Sequence, residues 1–292
     1  MVQPNATALA SRSEGLAARL PALVIAAERV AATVTQGIHG RRRVGLGEAF
    51  WQFRSYEPGD PPQRIDWRRS ARSDRVFIRQ TEWEASQTVW LWRDGSASMH
   101  YHSSPNLPEK RHSAELLLLA LAHLLLRGGE RVGLMGAGPV PSASLTVIER
   151  MALTLIREPD PRSLPAAAEL PRFSHAVLCG DFLSPVEEIA AVLRPHADRG
   201  VKGHLLRVLD PAEASLPFAG RVRFAGLEGE GELMFPRVES IREEYVNRFL
   251  AHEAALKDLA RALGWSMTTY RTDEPAEPAL LRLWVVLGER EA

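Results

Sequence analysis

Apolar residues along this chain follow two periods, and the two alternate. Short runs in which most positions are apolar occur at Thr88–Trp92, Arg131–Met135, Ala176–Cys179 and His204–Leu209, and Ser266–Tyr270 reads as a further strand. Between them lie longer segments of helical texture, Ser113–Arg127, Leu145–Ile156, Val186–Ala197 and Ile241–Leu263. Short continuous apolar runs predict strands covered on both faces, and the longer segments predict the helices that cover them. Strand, helix, strand in that order predicts βαβ units with right-handed crossovers. The fold class expected is therefore α/β, with a mostly parallel, Rossmann-like central sheet and helices on both faces.

The rest of the chain has a different texture. Residues Glu14–Val34 are rich in Ala, Leu and Val, with Arg19, Glu28 and Arg29 spaced between, which predicts a helix broken or begun near Pro21. From Gly37 to about Gln80, Gly, Pro, Arg and aromatic residues mix, predicting turns and short strands, Val76–Ile78 among them. Arg221–Phe235 reads as an extra hairpin with Gly-rich turns. Three parts follow: an N-terminal helical segment (1–36), an arginine- and aromatic-rich short-strand segment (37–86) and an α/β domain (87–292).

Composition narrows the function classes. At 292 residues, 45% hydrophobic and 25% charged, the chain is that of an ordinary globular protein, not a disordered or fibrous one. Lys plus Arg equals Asp plus Glu at 36 each, so no global field recruits nucleic acid or an anionic membrane, and any such partner needs a local patch. The one patch of that kind is 40–79, with ten arginines against five acids, a net of +5, interleaved with Phe50, Trp51, Phe53, Tyr56 and Trp67. Basic and aromatic residues together can hold single-stranded nucleic acid. The overall neutrality and the lack of a nucleic-acid motif favour a structural role instead. On that reading the aromatic rings anchor the segment, Asp66 pairs an arginine and Trp67 is buried. The single Cys179 lies in an apolar run, has no internal disulfide partner and is expected to be buried. The longest apolar stretch, Leu116–Leu126, is interrupted by His123 and falls short of the roughly 20 residues that span a bilayer. With no signal-peptide pattern at the N-terminus, the expected location is cytoplasmic.

The chemistry concentrates at Asp94-Gly95-Ser96-Ala97-Ser98-Met99, immediately after the first apolar run. One carboxylate and two hydroxyls at alternate positions form a hard, all-oxygen donor set. Such a set suits Mg²⁺, with Mn²⁺ or Ca²⁺ as alternatives, whereas zinc favours nitrogen and sulfur. Asp181 follows the apolar run Ala176–Cys179, so two acids stand at two strand ends, where ligands of open parallel sheets bind. Strand-end aspartates also cap helices and stabilise turns, and the same is true of Asp181 ahead of Ser184-Pro185. Strand before, helix after and a second acid at the matching position favour an ion. His100, His102 and His112 form no zinc pattern, because H-x-H without a positioned carboxylate is a weak signal. Gly45-x-Gly47 lacks the third glycine of a dinucleotide loop, and no phosphate-binding G-x-x-x-x-G-K-[ST] occurs. Ser96 stands where a phosphoryl-accepting D-x-D loop needs its second acid.

Several blocks in order carry a family resemblance: Gly47-Glu48-x-Phe50, Arg54-x-Tyr56-x-Pro58-Gly59-Asp60, Gln63-Arg64-Ile65-Asp66-Trp67-Arg68-Arg69-Ser70-Ala71-Arg72 and Asp94-x-Ser96-x-Ser98-Met99. The chain resembles the domain-of-unknown-function 58 family of bacterial proteins, within the von Willebrand factor A-like group. The resemblance implies a Rossmann-like von Willebrand factor A-type domain with a metal-ion-dependent adhesion site. Asp94, Ser96 and Ser98 would hold the ion directly or through water, and Asp181 would match the later strand-end acid. A threonine or serine from another loop completes such sites, and Thr146, Ser144 and Ser142 are candidates by location. The open coordination position is usually filled by a partner's carboxylate. Members of this family are commonly encoded beside MoxR-type AAA+ ATPases, which implies a non-enzymatic adaptor or co-chaperone in complex assembly, with that ATPase as a possible partner. Two alternatives are a metal-dependent hydrolase, with Asp181 or His102 as base, and nucleic-acid binding through 40–79.

Overall fold

The computed structural model describes residues 24–35, 50–56, 65–72, 75–81, 87–136, 140–157, 161–166, 170–227, 229 and 231–288. The expected helix before residue 24, the Gly47-Glu48 block and Arg41, Arg42, Arg43 and Arg64 lie outside them. The chain forms two units, Ile38–Ser86 and the remainder, Met1–Gly37 with Gln87–Ala292.

In the smaller unit, strand β1 (Phe50–Ser55) pairs antiparallel with β2 (Phe77–Thr81), and the short helix α2 (Trp67–Ser70) lies between them in sequence. Ser70 Oγ accepts from Phe77 N at 2.9 Å, which ties the helix to the strand. Three expectations are corrected here. Trp67 is not buried but 65% exposed, because it opens a single-turn helix with no buried residue. Asp66 works as a helix cap, accepting from the backbone N–H of Arg69 at 2.9 Å, in place of the expected arginine pairing. The strand begins at Phe77, and Val76 is exposed ahead of it.

The first described element of the larger unit is helix α1, residues 24–35. Its centre is a five-stranded sheet of order β4-β3-β5-β6-β9, parallel throughout. The strands are β3 (Thr88–Arg93), β4 (Arg131–Leu134), β5 (His175–Gly180), β6 (Lys202–Leu209) and β9 (Ser266–Arg271). The helices are α3 (Lys110–Arg127), α4 (Thr146–Arg157), α5 (Val186–Asp198), α6 (Pro211–Ser215), α7 (Arg242–Ala262) and α8 (Ala276–Gly288). This is the expected α/β architecture. Helix α3 is buried from Leu117 to Leu126, which explains why its sequence is apolar on all sides. Trp92 is buried and Trp90 half-buried, packed in a core with Phe182, Leu193, Leu205 and Trp265. Cys179 is buried, and burial pushes its thiol well above the ordinary range. The predicted hairpin is β7 (Val222–Ala225) against β8 (Glu232–Phe235). The apolar pattern does not predict helices α6 and α8.

One feature of the topology positions the site. From β3 the chain crosses to β4 on one side, then returns to β5 on the other. The winding reverses between β3 and β5, and in open parallel sheets ligands bind beyond the carboxyl ends of the strands at such a point. Asp94 is the first residue past β3, and Asp181 the first past β5.

Candidate functional site

Asp94 is fixed by its backbone before its side chain acts. Its N–H donates to Cys179 O at 2.8 Å, and Arg93 Nη1 donates to its carbonyl at 3.0 Å. The turn that follows places Ser96 at the start of a 3₁₀ turn (Ala97–His100). Asp94 Oδ1 accepts both Ser96 N, at 2.9 Å, and Ser96 Oγ, at 2.6 Å. Ser96 Oγ lies 3.0 Å from Ser98 Oγ, and Ser98 Oγ donates to Asp181 Oδ2 at 2.6 Å. Four side chains named from sequence are thus joined in one hydrogen-bonded chain across two strand ends. Asp94, Ser96 and Asp181 are buried, and Ser98 is half-buried.

A glycine makes room for this arrangement. A Cβ at Gly180 would stand 2.7 Å from Asp94 Cβ and 2.9 Å from Asp94 Oδ2, so the strand beside the carboxylate must be bare at that point. Phe182, just past Asp181, has a positive φ of 52° with its ring buried. Its carbonyl lies 2.7 Å from His252 Nε2 of α7, a contact that holds this strained residue in place.

Buried charged residues extend the network from Asp181. Lys110, the first residue of α3, donates from Nζ to Asp181 Oδ2 at 2.8 Å and to Glu213 Oε1 at 2.5 Å. Burial alone would lower its pKa, but Asp181 and Glu213 outweigh that, so the ammonium is held above its ordinary range. Glu213 is pushed up by burial, with Lys110 pulling the other way. Its second oxygen accepts from Asp210 N at 2.8 Å, completing the capping box of α6. Asp210 in turn accepts from Ser103 N at 2.8 Å, linking α6 to the segment that follows the serine turn. Arg207, also fully buried, donates from Nε to Asp181 O at 3.2 Å and stacks over the Phe249 ring at 4.6 Å. Burial lowers its pKa against the pull of Glu253 and Glu213. Burial also drives the Tyr101 hydroxyl up to about 12, helped by Asp210 and Glu213.

Among the described residues, the bonds of Ser142, Ser144 and Thr146 stay local. Ser142 pairs through its backbone with Val132, and Ser144 bonds Ser142 and Thr146. The segment 161–164 meets the Asp94 turn, where Gly95 N donates to Arg162 O at 3.1 Å and Ser184 Oγ donates to Ser163 Oγ at 3.3 Å. His100 faces Glu109, His102 faces Ser104 O and His112 is exposed. No group of three His, Cys, Asp or Glu side chains that could hold a metal ion occurs among the described residues.

Sequence reasoning missed Lys110, Glu213, Arg207 and Ser163. Two signals were present. Asp210-Pro211-Ala212-Glu213 spells a capping box, and an arginine inside the apolar run 204–209 must be buried with a partner.

Comparison with known proteins adds the following. A family model described as protein of unknown function DUF58 matches residues 52–255. Uncharacterized protein Rv1480 of Mycobacterium tuberculosis (strain ATCC 25618 / H37Rv) is 26% identical over 280 residues, spanning 88% of this chain and 85% of that protein. Among solved structures, an aerotolerance-related membrane protein from Bacteroides fragilis NCTC 9343 is similar at 17% identity with a TM-score of 0.41, over 68% of this chain and 98% of that one. The SpRpn10 VWA domain is similar at 8% identity with a TM-score of 0.35, over 68% and 95%. In this chain, no helix among the described residues is long and apolar enough to cross a membrane.

Proposed function

Since the chain belongs to the DUF58 family of proteins of unknown function, we propose that it is a non-enzymatic protein-interaction module of the von Willebrand factor A type with a metal-ion-dependent adhesion site. The observation that carries this reading is the Ser98 to Asp181 bond of 2.6 Å, which joins the serine turn after β3 to the acid after β5 at the point where the sheet reverses.

The residues present fit a hard divalent ion. All donors are oxygens, two are carboxylates on neighbouring strand ends, and Gly180 leaves the space that Asp94 fills. Asp94, Ser96, Ser98 and Asp181 would hold Mg²⁺, with Mn²⁺ or Ca²⁺ as substitutes. An additional hydroxyl would come from Ser142, Ser144 or Thr146, or from Ser163, whose loop touches Gly95. When bound, the ion supplies an electrophilic point for an acidic side chain of a partner protein. This chain's own residues do the rest. Asp94 orients both hydrogen-bond donors of Ser96, Ser98 spans the two loops, and Ala97 and Leu183, neighbours of these residues in sequence, are exposed. A MoxR-type AAA+ ATPase is the proposed partner, in a cytoplasmic adaptor or co-chaperone role.

The test combines Asp94→Ala with Ser96→Ala. Mn²⁺ uptake and capture of a purified MoxR-type ATPase are measured for the full chain and for the double variant. Both are expected to be lost. If both persist at the level of the parent chain, the proposal is wrong.

A further inference from the structure

We propose that Lys110 is a built-in counter-cation of Asp181 that competes with the divalent ion and is retained by Glu213 when the ion binds. This rests on the metal-site reading above and adds a regulator to it.

The argument starts from one oxygen. Asp181 Oδ2 accepts from Ser98 Oγ at 2.6 Å and from Lys110 Nζ at 2.8 Å. The carboxylate that would face an ion therefore already faces an ammonium. That ammonium has no route to water: Lys110 is fully buried at the first turn of α3, and its own N–H is tied to Tyr101 O. A buried charge of this kind stays only where it is paired. Its second partner is Glu213 Oε1, at 2.5 Å, and Glu213 is itself pinned by Asp210 N in the cap of α6.

Asp181 and Glu213 pair the one lysine directly. Arg207 and Arg93 lie close by, with Glu253 and Glu115 at 3.8 and 3.5 Å, and those acids also pair Lys257 and Arg111 at 2.5 and 2.8 Å. A divalent ion would therefore take Asp181 from the lysine while Lys110 stays. The bidentate grip of Lys110 on two carboxylates allows this: release of Asp181 leaves the ammonium paired with Glu213. Without the ion, the same lysine holds Asp181 in place, so the site is organised in both states. The ion must then displace a resident cation, and its affinity is set by how firmly Glu213 holds the lysine.

The experiment is a double-mutant cycle on the full chain, with Lys110→Met, Glu213→Gln, their combination and Asp94→Ala. Mn²⁺ binding is followed by loss of the free-ion EPR signal, and folding is checked by circular dichroism. Removing a buried positive charge in contact with a ligand carboxylate should tighten Mn²⁺ binding by about tenfold or more. Glu213→Gln should weaken it by about tenfold, because the ammonium then has Asp181 as its remaining carboxylate. In the Lys110→Met background Glu213→Gln should change binding by less than about twofold, since its effect runs through the lysine. Asp94→Ala should abolish binding throughout.

Additive effects of the two substitutions, or weakening by Lys110→Met, overturn the proposal. Unchanged affinity in both single variants, with Asp94→Ala still abolishing uptake, removes the counter-cation and leaves the metal site standing. No Mn²⁺ uptake by any form removes the metal site and the counter-cation together. If Lys110→Met does not fold, Glu213→Gln decides alone: unchanged or tighter binding overturns the proposal.

Discussion

The ammonium of Lys110 and the carboxylate of Asp181 stand 2.8 Å apart with side-chain exposures of 0% and 2%. They come from the first turn of α3 and the loop after β5, 71 positions apart in the chain. A fully buried ion pair is costly to assemble and more costly to break, because the survivor is left charged in a medium that solvates it poorly.

Lys110→Met leaves Asp181 and Glu213 without their shared cation. Loss of one partner from a buried pair costs about 3 to 5 kcal/mol. Chemical denaturation in a chelator is expected to show a loss in that range, and added Mg²⁺ to restore part of it. A variant as stable as the parent chain in the chelator would mean that the pair contributes nothing.

Gly180→Ala tests whether the bare strand beside Asp94 is required. The added Cβ would fall 2.7 Å from Asp94 Cβ, closer than packed carbons approach, so the carboxylate must move. Overpacking of this kind costs about 1 to 3 kcal/mol. The melting temperature and Mn²⁺ uptake are both expected to fall, and retention of both would show that Asp94 has slack.

These two positions show where sequence is informative and where it is not. Asp94, Ser96, Ser98 and Asp181 were legible because each signal is local: a short polar motif just after an apolar run. The doubly wound sheet was legible for the same reason, since strand and helix periods alternate visibly from Thr88 onward. Lys110 was not. It precedes the apolar stretch of α3, where a basic residue reads as solvated, and the acids that bury it lie 71 and 103 positions further on. Trp67 failed in the opposite direction, because a large ring was assigned to a core that a single-turn helix does not provide. Charge burial and ring exposure are both properties of long-range packing, which a local pattern does not encode.

His204 gives a pH prediction. It is buried at the start of the paired stretch of β6 and β9, with ring nitrogens 2.7 Å from Ser266 Oγ and 2.9 Å from Thr268 Oγ1. Burial lowers its pKa from 6.5 to about 4. The folded state thus binds its proton less readily than the unfolded chain. The contribution is fully present above pH 6.5 and is lost as pH falls towards 4, amounting to about 3 kcal/mol by linkage. Burial shifts His123, His175 and His196 the same way. Unfolding free energy measured from pH 7 to pH 4 should fall steeply in the parent chain and less steeply in His204→Gln. Parallel slopes in the two proteins would exclude His204 as the source.

Arg207 and Lys110 are both fully buried cations beside Asp181, yet their removal should not cost the same. Lys110 joins two carboxylates at 2.8 and 2.5 Å, and those carboxylates have little access to water. Arg207 reaches Asp181 through the carbonyl, stacks on Phe249, and meets Glu253 at 3.8 Å. Its Nη1 and Nη2 make no hydrogen bond among the described residues, so part of the guanidinium's desolvation is not recovered. Glu253 is 19% exposed and also bonds Lys257 at 2.5 Å, so it keeps both water and a cation when Arg207 is lost. Arg207→Met, which retains an apolar stem of similar reach over Phe249, should therefore cost less than Lys110→Met by about 1 to 2 kcal/mol or more. Denaturation of the two variants side by side decides the matter. Should Arg207→Met prove the more damaging of the two, the carbonyl of Asp181, and not its carboxylate, is what fixes the loop after β5.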